Sequence, residues 1–245
     1  MQIQNRLARA LTVSMTLRNV LYVSYAVPGK YLRAVLPEFI RLATLDEDIA
    51  FLSVVVLQCN KVRLRSVPFI RFTYNQLNLR TYIIDPITGA HGVYFLQSGV
   101  TSRFISVATQ TVGIPWQRIN LDVQVRPGGN NLRSYNAIGY WQGNCTITAV
   151  ERDISPRELT LFPDMKSAVD YLVRPLIGFY RDRDHVGRFT IWHQDIKPQV
   201  WQIQQIDIPV LSESGIIEDV AEPHSVFFLE HADFSIYMPP SFIKR

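Results

Sequence analysis

Between Asn75 and Ile83 (NQLNLRTYI) polar and apolar residues alternate one by one. Strand side chains point alternately to opposite faces. Gln76, Asn78, Arg80 and Tyr82 therefore share one face, and Leu77, Leu79, Thr81 and Ile83 share the other. The apolar face predicts packing against a core. The opposite face carries a fixed positive charge, two carboxamides and a phenol. Turned into a cleft, that face reads an anion. Turned to water, it is a half-solvated strand. The alternation alone leaves both open.

The rest of the chain reads mostly as strands. Val20 to Val27 is rich in β-branched and aromatic residues. Pro28 and Gly29 open a short helix with Leu32, Val35 and Leu36 on its apolar side. Ile49 to Leu57 is a continuous apolar strand, which implies burial on both faces. Asn60 to Arg71 reads as a loop or bent edge. His91 to Gln97 pairs back on the polar-faced strand through the DPITGAH turn. Arg103 to Val112 is the clearest internal helix, with Phe104, Val107, Ala108 and Thr111 on one side. Thr101 and Ser102 can cap it, and Gly113 and Pro115 end it. Further strands are expected at Gln117 to Arg126, Leu132 to Gln142, Thr146 to Val150, around Phe179, and over Gly187 to Asp195, Val200 to Leu211 and Ser225 to Tyr237. A helix after Pro163 turns Met165, Ala168, Val169 and Leu172 inward. This order argues for an α+β, mostly β, single domain over residues 18–245 around a large closed antiparallel sheet.

The first 17 residues are read separately. Ile3, Leu7, Leu11 and Met15 recur at helical spacing, and no acidic residue precedes Glu38. Arg6, Arg9 and Arg18 give this stretch a faint likeness to an organelle transit peptide. An amphipathic helical extension docking on the domain accounts for the same pattern more simply.

Composition narrows the partners. The net charge is +4 and the sequence pI about 9.1, with the basic residues spread along the chain. No basic cluster interleaved with aromatics is evident, so nucleic acid is not an expected partner. No apolar run is long enough to span a bilayer, and no membrane partner is expected. The two cysteines, Cys59 and Cys145, have no metal spacing. Buried reduced thiols and a cytoplasmic location follow as expectations.

Common catalytic signatures are missing. There is no glycine-rich phosphate loop, no Gly-x-Ser-x-Gly and no HExxH. The five histidines are dispersed without ligand spacing, so no metal and no cofactor are expected. His193 and Asp195 sit two apart in RFTIWHQD and could share a cavity as base and partner; a surface imidazole near a carboxylate is the plainer alternative. The five lysines, Lys30, Lys61, Lys166, Lys197 and Lys244, include no adjacent pair of the kind that tunes a Schiff-base lysine.

Several segments together resemble a known family. VSYAVPGKYLRAVLP (Val23 to Pro37), QLNLRTY (Gln76 to Tyr82), Gly92 to Gln97, the helix ending at Gly113-Ile114-Pro115-Trp116, and Trp192-His193 follow one another as in domain of unknown function 2071. That family lies within the acetoacetate decarboxylase-like superfamily. The resemblance spans about residues 18 to 238. It implies a cone-shaped, mostly antiparallel β-barrel with short helices outside and a central pocket, and with it an inward-facing Arg80. It also implies self-association into a homo-oligomer. Two departures matter. Gln76 stands where the family pattern has an acid. The Pro-Lys-Lys element that carries the decarboxylase's Schiff-base lysine corresponds here to Ile114-Pro115-Trp116-Gln117, which makes that chemistry unexpected.

Three functional readings follow. In the first, the barrel binds a small organic anion, a carboxylate. Arg80 forks onto it, Asn78, Gln76 and Tyr82 supply polar contacts, and Trp116, Phe95 and Tyr140 supply apolar walls. In the second, an enzyme of another mechanism enolises, hydrates or hydrolyses a keto acid, with His193 or Asp195 as base and Arg80 as oxyanion stabiliser. In the third, the module is structural or interacts with partners, and Arg80 is exposed or closed into a salt bridge with Asp122 or Glu230.

Overall fold

The computed structural model describes residues 11–127, 132–152, 159–212, 214–217 and 222–243. The order of elements is β1 (Val13–Pro28), α1 (Gly29–Arg33), β2 (Arg41–Leu42), a 3-10 turn (Asp46–Asp48), β3 (Ile49–Leu64), β4 (Phe72–Ile84) and β5 (His91–Val100). Then come α2 (Arg103–Thr111), β6 (Gln117–Arg118), β7 (Asn120–Pro127), β8 (Arg133–Tyr140), β9 (Asn144–Glu151) and α3 (Met165–Leu172). The chain ends with β10 (Ile177–Asp182), β11 (His185–His193), β12 (Gln199–Asp207), α4 (Pro209–Ser212) and β13 (Ser225–Ile243). The fold is α+β and mostly β, as the sequence predicts.

Seven strands pair in the order β1-β3-β4-β5-β10-β11-β13, and β13 returns to β1 to close the ring. All neighbours in it are antiparallel except β5 and β10, which run parallel. Closure leaves the seven ring strands without a free edge. The sheet also continues from β13 through β12, β9, β8 and β7. This second arm folds against the outside of the ring: Asn75 Nδ2 donates to the Leu121 carbonyl at 2.9 Å, and Gln58 Nε2 to that of Val123 at 3.3 Å.

Two cores result. One lies between the ring's outer face and the second arm, where Val54, Val56, Leu77 and Leu79 meet Leu121, Tyr135, Ile147, Trp201 and Phe228. The other fills the ring, where Tyr22, Val55, Leu57, Tyr74, Val93 and Leu229 meet the buried face of α3, namely Ala168, Val169 and Leu172. β3 and β4 separate the two cores. This is why β3 reads as an apolar run from Ile49 to Leu57 and why neither face of β4 reaches water between Gln76 and Ile83.

Three expectations are corrected. The helical period at Leu11 and Met15 does not describe their backbone: strand β1 begins at Val13, and Met15 and Leu17 are buried strand residues. Ring closure supplies β13 as a pairing partner down to Val13, and those hydrogen bonds override local periodicity. Ile3 and Leu7 lie outside the described residues. β3 runs on to Leu64 rather than stopping at Leu57, so the expected loop shortens to a hairpin tip. The apolar stripe of α2 is not a core face, because Phe104 and Val107 are exposed and only Ser106 is buried. The expected cap does form, with Ser102 Oγ accepting from the Ile105 N–H at 3.3 Å. Gly113, at φ +81°, follows this helix in the left-handed conformation that ends it.

Candidate functional site

The ring encloses a cavity of about 90 Å³, against about 10–15 Å³ for a single water, so it has room for a small organic molecule. Alternation delivers its lining. Every second residue of β4 from Tyr74 to Arg80 faces inward, as do Tyr22 on β1, Cys59 on β3, Phe95 on β5 and Phe189 and His193 on β11. In the ring β11 is three strands from β4 one way and four the other, so His193 enters from the far wall. Most of the remaining lining is aliphatic or aromatic, Trp116 included.

Arg80 is the centre of this wall, with 9% of its surface exposed. Its Nη2 donates to the Leu172 carbonyl at 2.7 Å. That carbonyl closes the C-terminal end of α3, where the helix dipole is negative and favours a cation. Tyr82 Oη donates to the same oxygen at 2.7 Å and joins the Ser53 and Ser24 hydroxyls behind it. The Tyr22 and Tyr82 rings flank the guanidinium at 5.3 and 5.7 Å. Its Nε is buried without a hydrogen-bond partner, and no carboxylate pairs with Arg80 among the described residues. A guanidinium has five N–H donors. A buried cation satisfied mainly by one carbonyl and two ring faces is an incomplete arrangement, since burying a charge is costly unless it is paired and hydrogen-bonded.

Beside Arg80 runs a neutral chain. The Cys59 thiol lies 3.7 Å from Gln76 Oε1, and Gln76 Nε2 donates to Asn78 Oδ1 at 2.8 Å. Burial pushes the Cys59 thiol up to about 12 and raises the Tyr74 hydroxyl well above its ordinary range. Neither ionises near neutrality, so Cys59 is no thiolate nucleophile. Burial also lifts Tyr22 to about 12, against the opposing pull of the Arg80 charge. His91, stacked on Tyr82 at 5.6 Å, is held down to about 4 by burial and by the Arg80 charge. The wall therefore carries one charge, that of Arg80.

The sequence-predicted site residues divide. Arg80, Asn78, Gln76, Phe95, Trp116 and His193 all line the cavity. Tyr82 is fully buried behind it and serves as an anchor for Arg80 and α3. Tyr140 does not reach it: it sits on β8 in the second arm and is 58% exposed. Asp195 lies past the end of β11, where the two-residue alternation with His193 no longer applies. Its carboxylate is 71% exposed and pairs with Arg174 at 2.9 Å. His193 Nδ1 lies 2.7 Å from the Gln194 carbonyl, while its Nε2 is buried without a partner. Of the acids considered for Arg80, Glu230 pairs with Arg133 and Asp122 accepts from Gln124. Tyr22, Cys59, Tyr74, His91 and the Leu172 carbonyl were not singled out from sequence. Tyr22 shares its strand face with Val20, a visible signal, but only ring closure reveals that this face is interior.

Comparison with known proteins decides the family. Residues 14–233 match the family described as an uncharacterised conserved protein, domain of unknown function 2071. The chain belongs to this family. No curated protein matches it. Among solved structures, an acetoacetate decarboxylase-like enzyme from Sphingomonas wittichii superposes with a TM-score of 0.64 at 12% identity, covering 96% of this chain and 94% of the other. The enduracididine biosynthesis enzyme MppR complexed with pyruvate gives 0.60 at 11% identity, covering 94% and 90%. Acetoacetate decarboxylase from Legionella pneumophila gives 0.59 at 11% identity, covering 94% and 86%. At such identities the likeness is one of fold. This member of the family thus has the acetoacetate decarboxylase-like fold, and no lysine lies among its described cavity-lining residues.

Proposed function

We propose that the ring interior binds a small organic carboxylate, held by Arg80. The observation that carries this reading is a buried guanidinium facing the ring's cavity with an unpartnered Nε and, among the described residues, no acid beside it. A carboxylate offers two oxygens in the geometry the guanidinium fork prefers, and the resulting bonds are charge-assisted. Asn78 Nδ2 and the Tyr22 hydroxyl make no hydrogen bond among the described residues and are the adjacent donors. The apolar wall of Phe95, Trp116, Phe189 and Phe234 takes the ligand's carbon skeleton. That MppR is seen with pyruvate supports a small oxo acid as the first compound to try. The free, buried Cys59 and Cys145 fit a reducing, cytoplasmic setting.

The test is thermal unfolding with a panel of oxo, hydroxy and aromatic carboxylates, on wild type and Arg80→Met. A ligand at about 100 times its dissociation constant adds about 2.7 kcal/mol to stability. Wild type gains that shift with at least one class, and Arg80→Met, which keeps the volume and removes the charge, does not. Equal shifts in both proteins would remove Arg80 from the reading.

A second reading has its own observation. His193 faces Arg80's cavity from the opposite wall with Nε2 buried and unpartnered. A neutral imidazole there can accept a proton from a bound oxo acid while Arg80 steadies the charge that develops on oxygen. On this reading His193→Gln leaves the ligand-induced thermal shift intact and abolishes exchange of the ligand's α-protons with deuterium. Exchange at the wild-type rate in the variant would eliminate His193 as the base.

A further inference from the structure

One end of the ring carries a surface that the cavity does not use. The β3–β4 hairpin tip projects there, with Leu64, Phe69 and Ile70 exposed, Phe69 by 79%. Phe72 at its base stacks on Phe104 of α2 at 4.9 Å, which joins the tip to the exposed α2 residues Phe104 and Val107. Cations surround this apolar strip. Arg65, Arg71 and Arg103 are exposed and Arg63 is half-buried, and none forms an ion pair among the described residues. The sequence has no acid between Asp48 and Asp85, nor between Asp85 and Asp122. One acid, Asp233, lines the adjoining cleft with Lys61 and Arg63 and is held by the Thr16 hydroxyl at 3.0 Å. Spread along the chain these basic residues look scattered; the fold gathers them.

We infer that this face docks on the anionic surface of a lipid bilayer, with Phe69 and Ile70 entering the headgroup boundary and Arg65, Arg71 and Arg103 meeting lipid phosphates. Exposed apolar residues ringed by unpaired arginines match the two requirements of interfacial binding, buried apolar area and attraction to anionic lipid. Arginine stems can lie along the apolar layer while their heads stay at phosphate level. A second copy of this chain is the poorer occupant, because a two-fold contact would bring two basic faces together with no acid from residues 49–84 to pair with them. The cleft beside this face shares Met15 and Phe234 with the cavity lining, so docking would bring the cavity's rim near the membrane.

The test is co-sedimentation of the full chain with vesicles of phosphatidylcholine alone or mixed with phosphatidylglycerol. Wild type sediments with the mixed vesicles and not with the neutral ones, and added salt releases it. Arg65→Gln with Arg71→Gln lowers partition about thirty-fold, from about 1 kcal/mol per arginine and 1.4 kcal/mol per tenfold. Phe69→Ser with Ile70→Ser lowers it more than about tenfold. Both pairs sit on the exposed tip, and their unfolding curves overlay wild type. Failure of wild type to bind the mixed vesicles overturns the inference. So does a concentration-dependent dimer that the Phe69/Ile70 variant disperses, which would assign the face to a second copy.

Discussion

Asp85→Ala costs the fold about 3–5 kcal/mol, because it leaves a largely buried guanidinium without its partner. Asp85 is 1% exposed and directly follows β4. Its Oδ2 accepts from Arg188 Nη2 at 2.8 Å and Nε at 3.2 Å, and its Oδ1 from the Ile87 N–H at 3.0 Å. The Thr88 hydroxyl completes the set at 2.5 Å. One carboxylate thereby fixes the β4–β5 turn and ties it to β11. Burial pushes the Asp85 carboxyl up, but Arg188, Thr88 and the Ile87 amide together outweigh it and hold the group below the usual carboxylate range. A folded-state value below the unfolded one contributes stability above the unfolded pKa and loses it as pH falls through the folded pKa. Urea unfolding at neutral pH measures the loss. Asp85→Ala together with Arg188→Met removes both charges and recovers much of it; a double variant as unstable as the single one would contradict the ion-pair account.

Acidification from about pH 6.5 to about 4 weakens the fold by up to about 3 kcal/mol through His91 alone. The sign follows from the direction of its shift. Burial, and then the Arg80 charge, hold the folded imidazole down to about 4, whereas an unfolded histidine takes up a proton near 6.5. In that window the unfolded state binds more protons, so stability rises with pH and is complete above about 6.5. His91 ring-stacks on Tyr82 at 5.6 Å and lies 4.2 Å from the Tyr171 ring, so phenylalanine can replace it without emptying the site. His91→Phe removes most of the slope between pH 4 and 6.5 in denaturant unfolding. The remainder belongs to groups such as His224, which burial also lowers. An unchanged slope in the variant would show that His91 is not the group responsible. The same arrangement bears on the proposed binding, because it leaves no second positive charge from His91 beside Arg80 at neutral pH.

Much of this site is legible along β4 itself. Alternation places Gln76, Asn78 and Arg80 on one face, and that depends on strand geometry alone. What lies opposite that face does not. The interior becomes interior because β13 returns to β1, and β1 and β13 are far apart in sequence. Tyr22 and His193 are brought to one cavity by that closure. Where the local pattern misleads, a non-local partner or its absence is the reason. Met15 follows a helical period yet joins a strand because β13 pairs with it. Phe104 and Val107 share a helical stripe yet meet no core, because α2 turns only Ser106 fully inward. Asp195 follows His193 by two, but the strand ends at His193 and the chain then turns to Arg174. Tyr140 has the character of an apolar wall but belongs to the arm outside the ring. The apolar residues of β4 are buried because that arm covers them, and nothing within residues 75 to 83 announces it.

The most direct measurement of the central claim is a crystal structure of the protein soaked with the carboxylate that gives the largest thermal shift. The account predicts density inside the ring, with both carboxylate oxygens within hydrogen-bond distance of Arg80 and the carbon skeleton against Phe95 and Trp116. A carboxylate bound elsewhere, with the ring interior unoccupied and Arg80 still held by the Leu172 carbonyl alone, would contradict it.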